Sequence, residues 1–183
     1  SDVYKRQGPH RGDAFMSARF GKLGWVWLSA VVFVIDQITK YWFDNNLQMW
    51  ERITVIPHVL DWTLAYNTGA AFSFLAGASG WQRWLFTLIA VVVSVVLVVW
   101  LKRLKADETW LAVGLALVLG GALGNLVDRV VFGHVVDFIL VHWQSSWYFP
   151  AFNLADSAIT VGAILLALDM FKSKKPEEEV ARD

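Results

Sequence analysis

The chain has 183 residues, of which 56% are hydrophobic and 17% charged, and its mean hydropathy is +0.46. Soluble domains are about 45–50% apolar and about 25% charged. Uncharged runs of 18 residues at 84–101 and 19 residues at 109–127 match the roughly 20 residues that one helical membrane span needs. The composition therefore excludes an ordinary soluble domain and indicates a membrane protein. The 16 basic and 16 acidic residues balance, so we expect no nucleic acid partner.

The residue types restrict the chemistry further. The chain contains no cysteine, which excludes disulfides, thiolate catalysis and cysteine metal sites. Its four histidines lie far apart without the spacing of metal ligands. We therefore expect neither a metal nor a cofactor.

The chain begins with a polar segment, residues 1–15, that precedes Met16. Its opening residues, SDVYKRQ, resemble translated adapter sequence, so we expect 1–15 to be a non-native or disordered leader. We expect residues 16–175 to form a single membrane domain and residues 176–183 to form a charged cytoplasmic tail.

Four segments have the length and composition of helical spans: about 24–43, 84–101, 110–128 and 153–171. They lack the period-2 alternation of barrel strands. Since only helices and closed barrels satisfy their backbone in lipid, the sequence predicts an α-helical integral membrane protein with four transmembrane helices.

Lysine and arginine indicate the orientation of the spans. They concentrate before span one, between spans two and three, and after span four, although three of the five that precede span one also precede Met16. By the positive-inside rule, both termini are predicted to be cytoplasmic. The connections at about 44–83 and 129–152 then face outward.

The first outward connection carries an alternating segment, Leu60 to Asn67, which predicts a half-buried strand. The turn residues Asn67-Thr68-Gly69 follow it. We therefore expect a small extracytoplasmic β-sheet element at about 44–80, between helices 1 and 2. The second connection, about 129–152, is expected to be an outer loop.

Ionisable residues at membrane depth are costly to place there, so they are functional candidates by default. With the predicted orientation, six of them lie toward the outer face, and Asp169 lies at the cytoplasmic end. The six are Asp36, Lys40, Asp128, Arg129, Asp137 and Asp156.

Most of these residues also have a structural interpretation. Asp36 and Lys40 are four residues apart on one helix face, which favours a local ion pair. Asp128 and Arg129 close a helix and suit a structural charge network as well as catalysis. Asp137 differs, because it interrupts the apolar run 135–139 and no capping role explains an acid there.

Asp156 follows Asn153 by three residues, at the start of a predicted span. Asn153 is a candidate N-cap, and the helix dipole favours a carboxylate in the first turn. Capping is therefore the simplest interpretation of Asp156 when it is considered alone.

Two neighbouring carboxylates can share one proton, so that one acts as a base toward water while the other polarises a carbonyl. Such a dyad needs no cysteine, histidine or metal, which suits this composition. A Ser–Lys nucleophilic pair is an alternative, but Lys40 has no serine at helical spacing on its own face.

Two further classes of function stay open on the residues alone. The acids could relay protons in a small proton-coupled transporter or channel, although span two has no polar residue beyond Thr87 and Ser94. A non-catalytic membrane scaffold would leave the clustered acids unexplained.

Five ordered motifs resemble those of bacterial lipoprotein signal peptidase (signal peptidase II), a family of membrane aspartyl peptidases. The resemblance covers about residues 16–175. The motifs are Asp36-Gln37-Ile38-Thr39-Lys40, Asn67-Thr68-Gly69-Ala70-Ala71-Phe72, Gly121-Ala122-Leu123-Gly124-Asn125-Leu126-Val127-Asp128-Arg129, Val135-Val136-Asp137-Phe138 and Phe152-Asn153-Leu154-Ala155-Asp156-Ser157.

The resemblance implies removal of the signal peptide from prolipoproteins, just before a cysteine that carries a diacylglyceryl group. It implies a multi-pass protein of the bacterial inner membrane, with those precursors and membrane lipids as its partners and an active site near the outer face. We expect the protein to be monomeric. It assigns catalysis to Asp137 and Asp156, a pair that spacing alone does not distinguish from Asp36 or Asp128. Positions that support the dyad, hold substrate or assist structurally match Asn67, Asn125, Asp128, Arg129, Asn153, Asp36 and Lys40.

The position of Asp156 at a helix N-terminus suggests how the proton is shared. The helix dipole favours a carboxylate there. As a hypothesis, Asp156 is the more readily ionised partner and Asp137 more often carries the proton.

Overall fold

The structure of the protein, a computed structural model, describes residues 21–69 and 80–180, with side chains described as far as residue 171. The predicted leader 1–15, Met16, the end of the 67–72 motif and the last three residues of the tail lie outside the described residues. A short 3₁₀ turn, Leu23–Trp25, leads into helix α1, Val26–Asn46. The other long helices are α2, Trp81–Arg103, α3, Thr109–Val131, and α4, Leu154–Val180.

The four predicted spans are confirmed, since each has the length and hydropathy to cross a membrane. The helices run a few residues past several predicted ends. Trp81 and Val131 belong to helices although the predictions stopped short of them. Helical hydrogen bonding continues into the interfacial polar residues, so hydropathy underestimates helix length.

Helix α3 is the central helix of the bundle. Within its most apolar window 61% of residues are buried, against 22% for α1, 17% for α2 and 11% for α4. Glycines permit the close approach: a Cβ on Gly120 would meet Val32 of α1 at 2.8 Å, and one on Gly121 would meet Ile159 of α4 at 2.8 Å. Small residues at interfaces allow helices to pack closely where lipid supplies no hydrophobic driving force.

The connection between α1 and α2 and the connection between α3 and α4 together form one antiparallel sheet. Its strand order is β1-β2-β3-β4. Its strands are β1, Arg52–Ile56, β2, Leu60–Asn67, β3, Val135–Trp143, and β4, Trp147–Tyr148. The predicted strand at 60–67 and the small sheet are confirmed. The connection at 129–152, expected to be an outer loop, holds β3 and β4. Its apolar run is buried on both faces and so shows no alternation that would predict a strand.

Aromatic packing attaches the sheet to the end of α1. The rings of Phe43 and Phe138 stack with centroids 4.3 Å apart, within a cluster that includes Leu47, Leu64 and Val136. The backbone N–H groups of Phe138 and Ile139 both donate to the carbonyl of Phe152, just before α4. The end of α3, the start of β3 and the start of α4 therefore meet at one place.

Candidate active site

A buried lysine is the first feature of this meeting point. The Lys40 ammonium lies 2.8 Å from Asp36 Oδ2 and 3.0 Å from Asp128 Oδ2, and it donates to Asn125 Oδ1 at 2.9 Å. The ion pair expected from the spacing of Asp36 and Lys40 is present and extends to a second helix. We call Asp36, Lys40 and Asp128 the lysine cluster. Its ammonium has three N–H donors and three acceptors.

The carboxylates of the lysine cluster have further partners. Asp36 Oδ1 accepts from the backbone N–H of Ala155, at the start of α4, at 2.9 Å. Asp128 Oδ2 accepts from the N–H of Val136 in β3 at 3.1 Å, and its Oδ1 accepts from Gln37 Nε2 at 2.9 Å. The cluster therefore joins α1, α3, β3 and α4, as a structural charge network does.

A second pair of carboxylates, Asp137 and Asp156, lies beside the lysine cluster, and we call this pair the dyad. Asp137 is in β3 and is 2% exposed. Its Oδ1 accepts from Asn153 Nδ2 at 2.7 Å, and the Asn67 side chain also donates to it. Asp156 lies in the first turn of α4, where its Oδ1 accepts from Asn125 Nδ2 at 2.8 Å.

Asn153 connects the two members of the dyad. Its Oδ1 accepts from the N–H of Asp156 at 2.9 Å, while Asp156 Oδ2 accepts from the N–H of Asn153 at 3.3 Å. This reciprocal pair is a capping box with aspartate in place of the usual glutamate. Because Asn153 Nδ2 also donates to Asp137, the N-cap and the dyad are one arrangement. The capping interpretation of Asp156 is correct and does not compete with a catalytic one.

Asn125 connects the dyad to the lysine cluster. Its Oδ1 accepts from Lys40 and from Asn153 Nδ2, and its Nδ2 donates to Asp156. Both of its polar atoms are therefore used. A displacement of the lysine cluster or of the dyad would therefore shift the Asn125 amide and, through it, the other group.

Arg129 supplies positive charge near three of the four acids. Its Nη1 donates to the carbonyl of Asn125 at 3.3 Å, and its guanidinium carbon lies 5.4 Å from the centre of the Phe86 ring. It interacts electrostatically with Asp156, Asp137 and Asp128. The hydrogen bonds and ion pairs described above join the lysine cluster and the dyad into one network. In the described structure, all nine residues proposed as site residues from the sequence belong to this network or border it.

The environment of Asp137 favours its protonated form. Burial raises the pKa of Asp137, the neighbouring Asp156 raises it further, and together they bring it to about 7. Hydrogen bonds from Asn67 and Asn153 and the charge of Lys40 oppose the rise without cancelling it. The environment of Asp137 therefore favours retention of a proton well above the pH at which an ordinary carboxyl ionises.

Asp137 borders a cleft of about 430 Å³ over one face of the sheet. The cleft extends across β2 to β1, and the segment after β4 closes its far side. Its lining residues are Trp50, Arg52, Thr63, Ala65, Tyr66, Asn67, Thr68, Asp137, Leu140, Tyr148, Phe149, Pro150 and Ala151. An extended peptide placed in this cleft would run along the sheet toward Asp137.

Sequence reasoning missed Gln37 as a member of the site. Besides its bond to Asp128, its Nε2 lies 3.3 Å from both Asp36 Oδ2 and the carbonyl of Gly124. The available signal was a polar amide inside a predicted span, next to Asp36. The cleft residues of β1 and β4 had no such signal, because only strand pairing brings them near Asp137.

The alternative Ser–Lys pair is not supported within the described residues. The Lys40 ammonium is occupied by two carboxylates and an amide. Ser146 Oγ donates to the carbonyl of Trp143 in the turn between β3 and β4. Ser73 and Ser79 lie outside the described residues.

Comparison with known proteins agrees with this geometry. Residues 28–172 match the family model described as signal peptidase (SPase) II. The chain is 73% identical over 164 residues to a lipoprotein signal peptidase of Pseudomonas putida, covering 90% of this chain and 96% of that protein. It is 72% identical over 160 residues to one of Pseudomonas aeruginosa, covering 87% and 95% of the two chains.

A solved structure of a bacterial membrane enzyme has the same fold, with a TM-score of 0.73 and 32% identity, covering 84% of this chain and 96% of that one. These matches favour a peptidase over a transporter or a scaffold. The chain belongs to the signal peptidase II family and is an aspartic-type peptidase of a bacterial membrane.

Proposed function

We propose that this protein removes the signal peptide from prolipoproteins whose cysteine carries a diacylglyceryl group, cleaving the bond just before that cysteine. The names of its relatives support the substrate class. The observation that carries the chemistry is the dyad: two carboxylates joined by Asn153, one of them with a pKa near 7, at the edge of a peptide-sized cleft.

The reaction needs one proton shared by the dyad and one water. The ionised carboxylate, Asp156, takes a proton from water, whose oxygen attacks the carbonyl carbon of the scissile bond. The protonated Asp137 donates to the carbonyl oxygen, which becomes a hydroxyl in the tetrahedral intermediate. Collapse of the intermediate returns one hydroxyl proton to Asp137, re-forms the carbonyl, breaks the C–N bond and transfers the proton held by Asp156 to the leaving amine.

The neighbouring amides position the two carboxylates for these steps. Asn125 and the N–H of Asn153 donate to Asp156 at the positive end of the α4 dipole, which stabilises the charged form of a carboxylate. The amide of Asn153 holds Asp137 without adding a charge that would remove its proton. The difference between the surroundings of the two carboxylates agrees with the hypothesis that Asp137 more often carries the shared proton.

The basic residues support one orientation in the membrane. The backbone N–H of Lys22 donates to the carbonyl of Leu101, and Lys22 Nζ donates to Thr109 Oγ1, so three helix ends meet at one side. Lys102, Arg103 and Lys105 lie at the same end, opposite the sheet. We propose that this basic end is cytoplasmic and that the dyad faces the periplasm from the inner membrane.

Cleavage of a synthetic diacylglyceryl-modified prolipoprotein peptide by purified protein in lipid tests the proposal. Asp137→Asn and Asp156→Asn should each reduce turnover at least about 10³-fold, because each removes one half of the proton transfer. Asp169→Asn, 13 residues along α4 from Asp156, is the matched control and should keep turnover. Thermal unfolding of all four proteins checks that the fold is intact.

Near-normal turnover by either dyad variant would show that the dyad is wrong. If wild-type protein leaves the lipidated peptide intact, the proposed substrate is wrong. Cleavage of an unlipidated peptide at an equal rate would show that the diacylglyceryl group is not recognised.

A further inference from the structure

A buried hydroxyl in β2 has no hydrogen-bond partner. The side chain of Thr63 is 1% exposed, and its Oγ1 has no partner among the described residues. Buried polar groups are nearly always paired, and an unpaired one is destabilising. Thr63 also lines the cleft that leads to Asp137.

Other unpaired hydroxyls show that position in the cleft is what distinguishes Thr63. Thr87 and Ser94 also have buried Oγ atoms without partners in the described structure. Both lie on α2, and neither lines the cleft. Of these three hydroxyls, only that of Thr63 belongs to a residue that lines the cleft.

The strand register gives the distance from Thr63 to the dyad. Ala65 of β2 lies opposite Asp137 of β3, and Thr63 lies opposite Arg52 of β1. The β2–β3 register shifts between Trp62 and Ala65, and Thr63 lies two residues along β2 from Ala65, about 7 Å along the strand. An extended peptide advances about 3.4 Å per residue. The hydroxyl therefore lies about two residues from a bond held at the dyad.

An extended substrate needs backbone partners in this cleft. A peptide N–H or carbonyl that leaves water without a new partner loses free energy. The side chain of Asn67 is already used, since it accepts from the N–H of Gly69 and donates to Asp137. The hydroxyl of Thr63 is unused, and a hydroxyl can donate to a carbonyl of any residue, which suits an enzyme whose precursors differ in sequence.

We propose that the Thr63 hydroxyl donates a hydrogen bond to a main-chain carbonyl of the substrate, about two residues from the scissile bond. This inference rests on the proposed function and adds a substrate-binding residue to it. Thr63 acts in binding and takes no part in proton transfer.

Thr63→Val tests the inference, because valine keeps the shape of threonine and lacks the hydroxyl. With the lipidated peptide as substrate, we expect KM to rise and kcat/KM to fall about 3- to 10-fold, with kcat nearly unchanged. The thermal midpoint should stay the same or rise, since an unpaired polar group has been removed. Thr63→Ser should keep kcat/KM, and Ser94→Ala should leave it unchanged.

A second measurement locates the carbonyl. Peptides that carry an ester in place of one amide, two residues to either side of the scissile bond, have a weaker carbonyl acceptor at that position. One of them should bind the wild-type protein less well and should lose nothing further with Thr63→Val.

Three results would overturn the inference: kcat/KM of Thr63→Val within twofold of wild type, equal losses in Thr63→Val and Thr63→Ser, or a loss that accompanies a lower thermal midpoint. Absence of cleavage by wild type would instead overturn the proposed function and, with it, this inference. The two failures are distinguishable, because the three results on the Thr63 variants can be obtained only when the wild-type protein cleaves the peptide.

Discussion

Two groups of carboxylates lie side by side at the sheet end of the helices, and they differ in their charge partners. In the lysine cluster, Asp36 and Asp128 share the ammonium of Lys40, at 2.8 and 3.0 Å. In the dyad, Asp137 and Asp156 have amide partners, and neither has a cation within ion-pair distance in the described structure.

The difference shows how one residue type serves two purposes in one protein. The carboxylates that share the lysine join helices. A buried carboxylate beside another carboxylate keeps a proton, and the pKa of Asp137 rises to about 7 for that reason. Asn125 touches both groups, so the structural cluster also fixes the geometry of the reactive one.

Removing the cation should damage the structural group most. Lys40→Met would remove the ammonium that pairs with Asp36 and Asp128, which are 0% and 1% exposed. We expect the free energy of unfolding to fall by about 3–5 kcal/mol, as when one partner of a buried ion pair is removed. Thermal unfolding in detergent, followed by tryptophan fluorescence, measures the loss.

Lys102→Met is the control for Lys40→Met, since Lys102 is exposed at the far end of α2. The triple variant Asp36→Asn, Lys40→Met, Asp128→Asn should recover part of the stability, because no buried charge then lacks a partner. Equal stability of Lys40→Met and wild type would show that the lysine cluster does not hold the fold together.

Removing an acid from the dyad should have the opposite effect on stability. Because the pKa of Asp137 is raised in the folded protein, the folded state binds more protons than the unfolded state between pH 4 and 7, and wild type loses stability as pH rises through this range. Asp137→Asn removes the titrating group, and with it this loss of stability at higher pH. The amide oxygen of the new side chain still accepts from Asn153. We expect the variant to gain about 2–4 kcal/mol relative to wild type between pH 4 and pH 8.

Unfolding midpoints of both proteins across pH 4–8 provide the measurement for Asp137→Asn. A stability difference that does not change with pH would mean that Asp137 is not protonated near neutrality. Activity should also fall as pH rises above about 7, when the dyad loses its shared proton.

The smallest expected effect concerns the space around the lysine cluster. A Cβ at Gly124 of α3 would collide with the carboxylate of Asp36. Gly124→Ala should lower the free energy of unfolding by about 1–2 kcal/mol, since overpacking exceeds the better helix propensity of alanine. Gly24→Ala is the control, because a Cβ there meets nothing within 4 Å. A Gly124→Ala protein as stable as wild type would show that α1 and α3 adjust freely.

Several features were predictable from the sequence for clear physical reasons. Lipid offers the backbone no hydrogen-bond partners, so apolar segments cross it as helices. Four apolar runs therefore predict four spans, and the predicted number was correct. The alternation at 60–67 predicted β2, although Leu60, Trp62 and Tyr66 lie on its less buried face. The acids were conspicuous because ionisable groups are costly at membrane depth.

Strand β3 was not predictable in the same way. Its residues are buried on both faces, between the sheet and the helices, so periodicity carries no signal. Pairing with β2 depends on contacts between segments about 75 residues apart, such as Ala65 opposite Asp137. The cleft also depends on contacts between distant segments, since its walls come from both the 44–83 and the 129–152 connections.

The sequence by itself determined which residues carry charge in an apolar chain, where the spans lie and which motifs are present. Spacing alone left the catalytic pair undecided among four carboxylates, although Asp137 stood apart in its apolar run and the resemblance assigned catalysis to Asp137 and Asp156. Only the tertiary structure decided that Lys40 neutralises Asp36 and Asp128 and that Asn153 joins Asp137 to Asp156. The physical reason is that the state of a carboxylate depends on which charges and donors surround it, and the fold brings those neighbours from four separate segments.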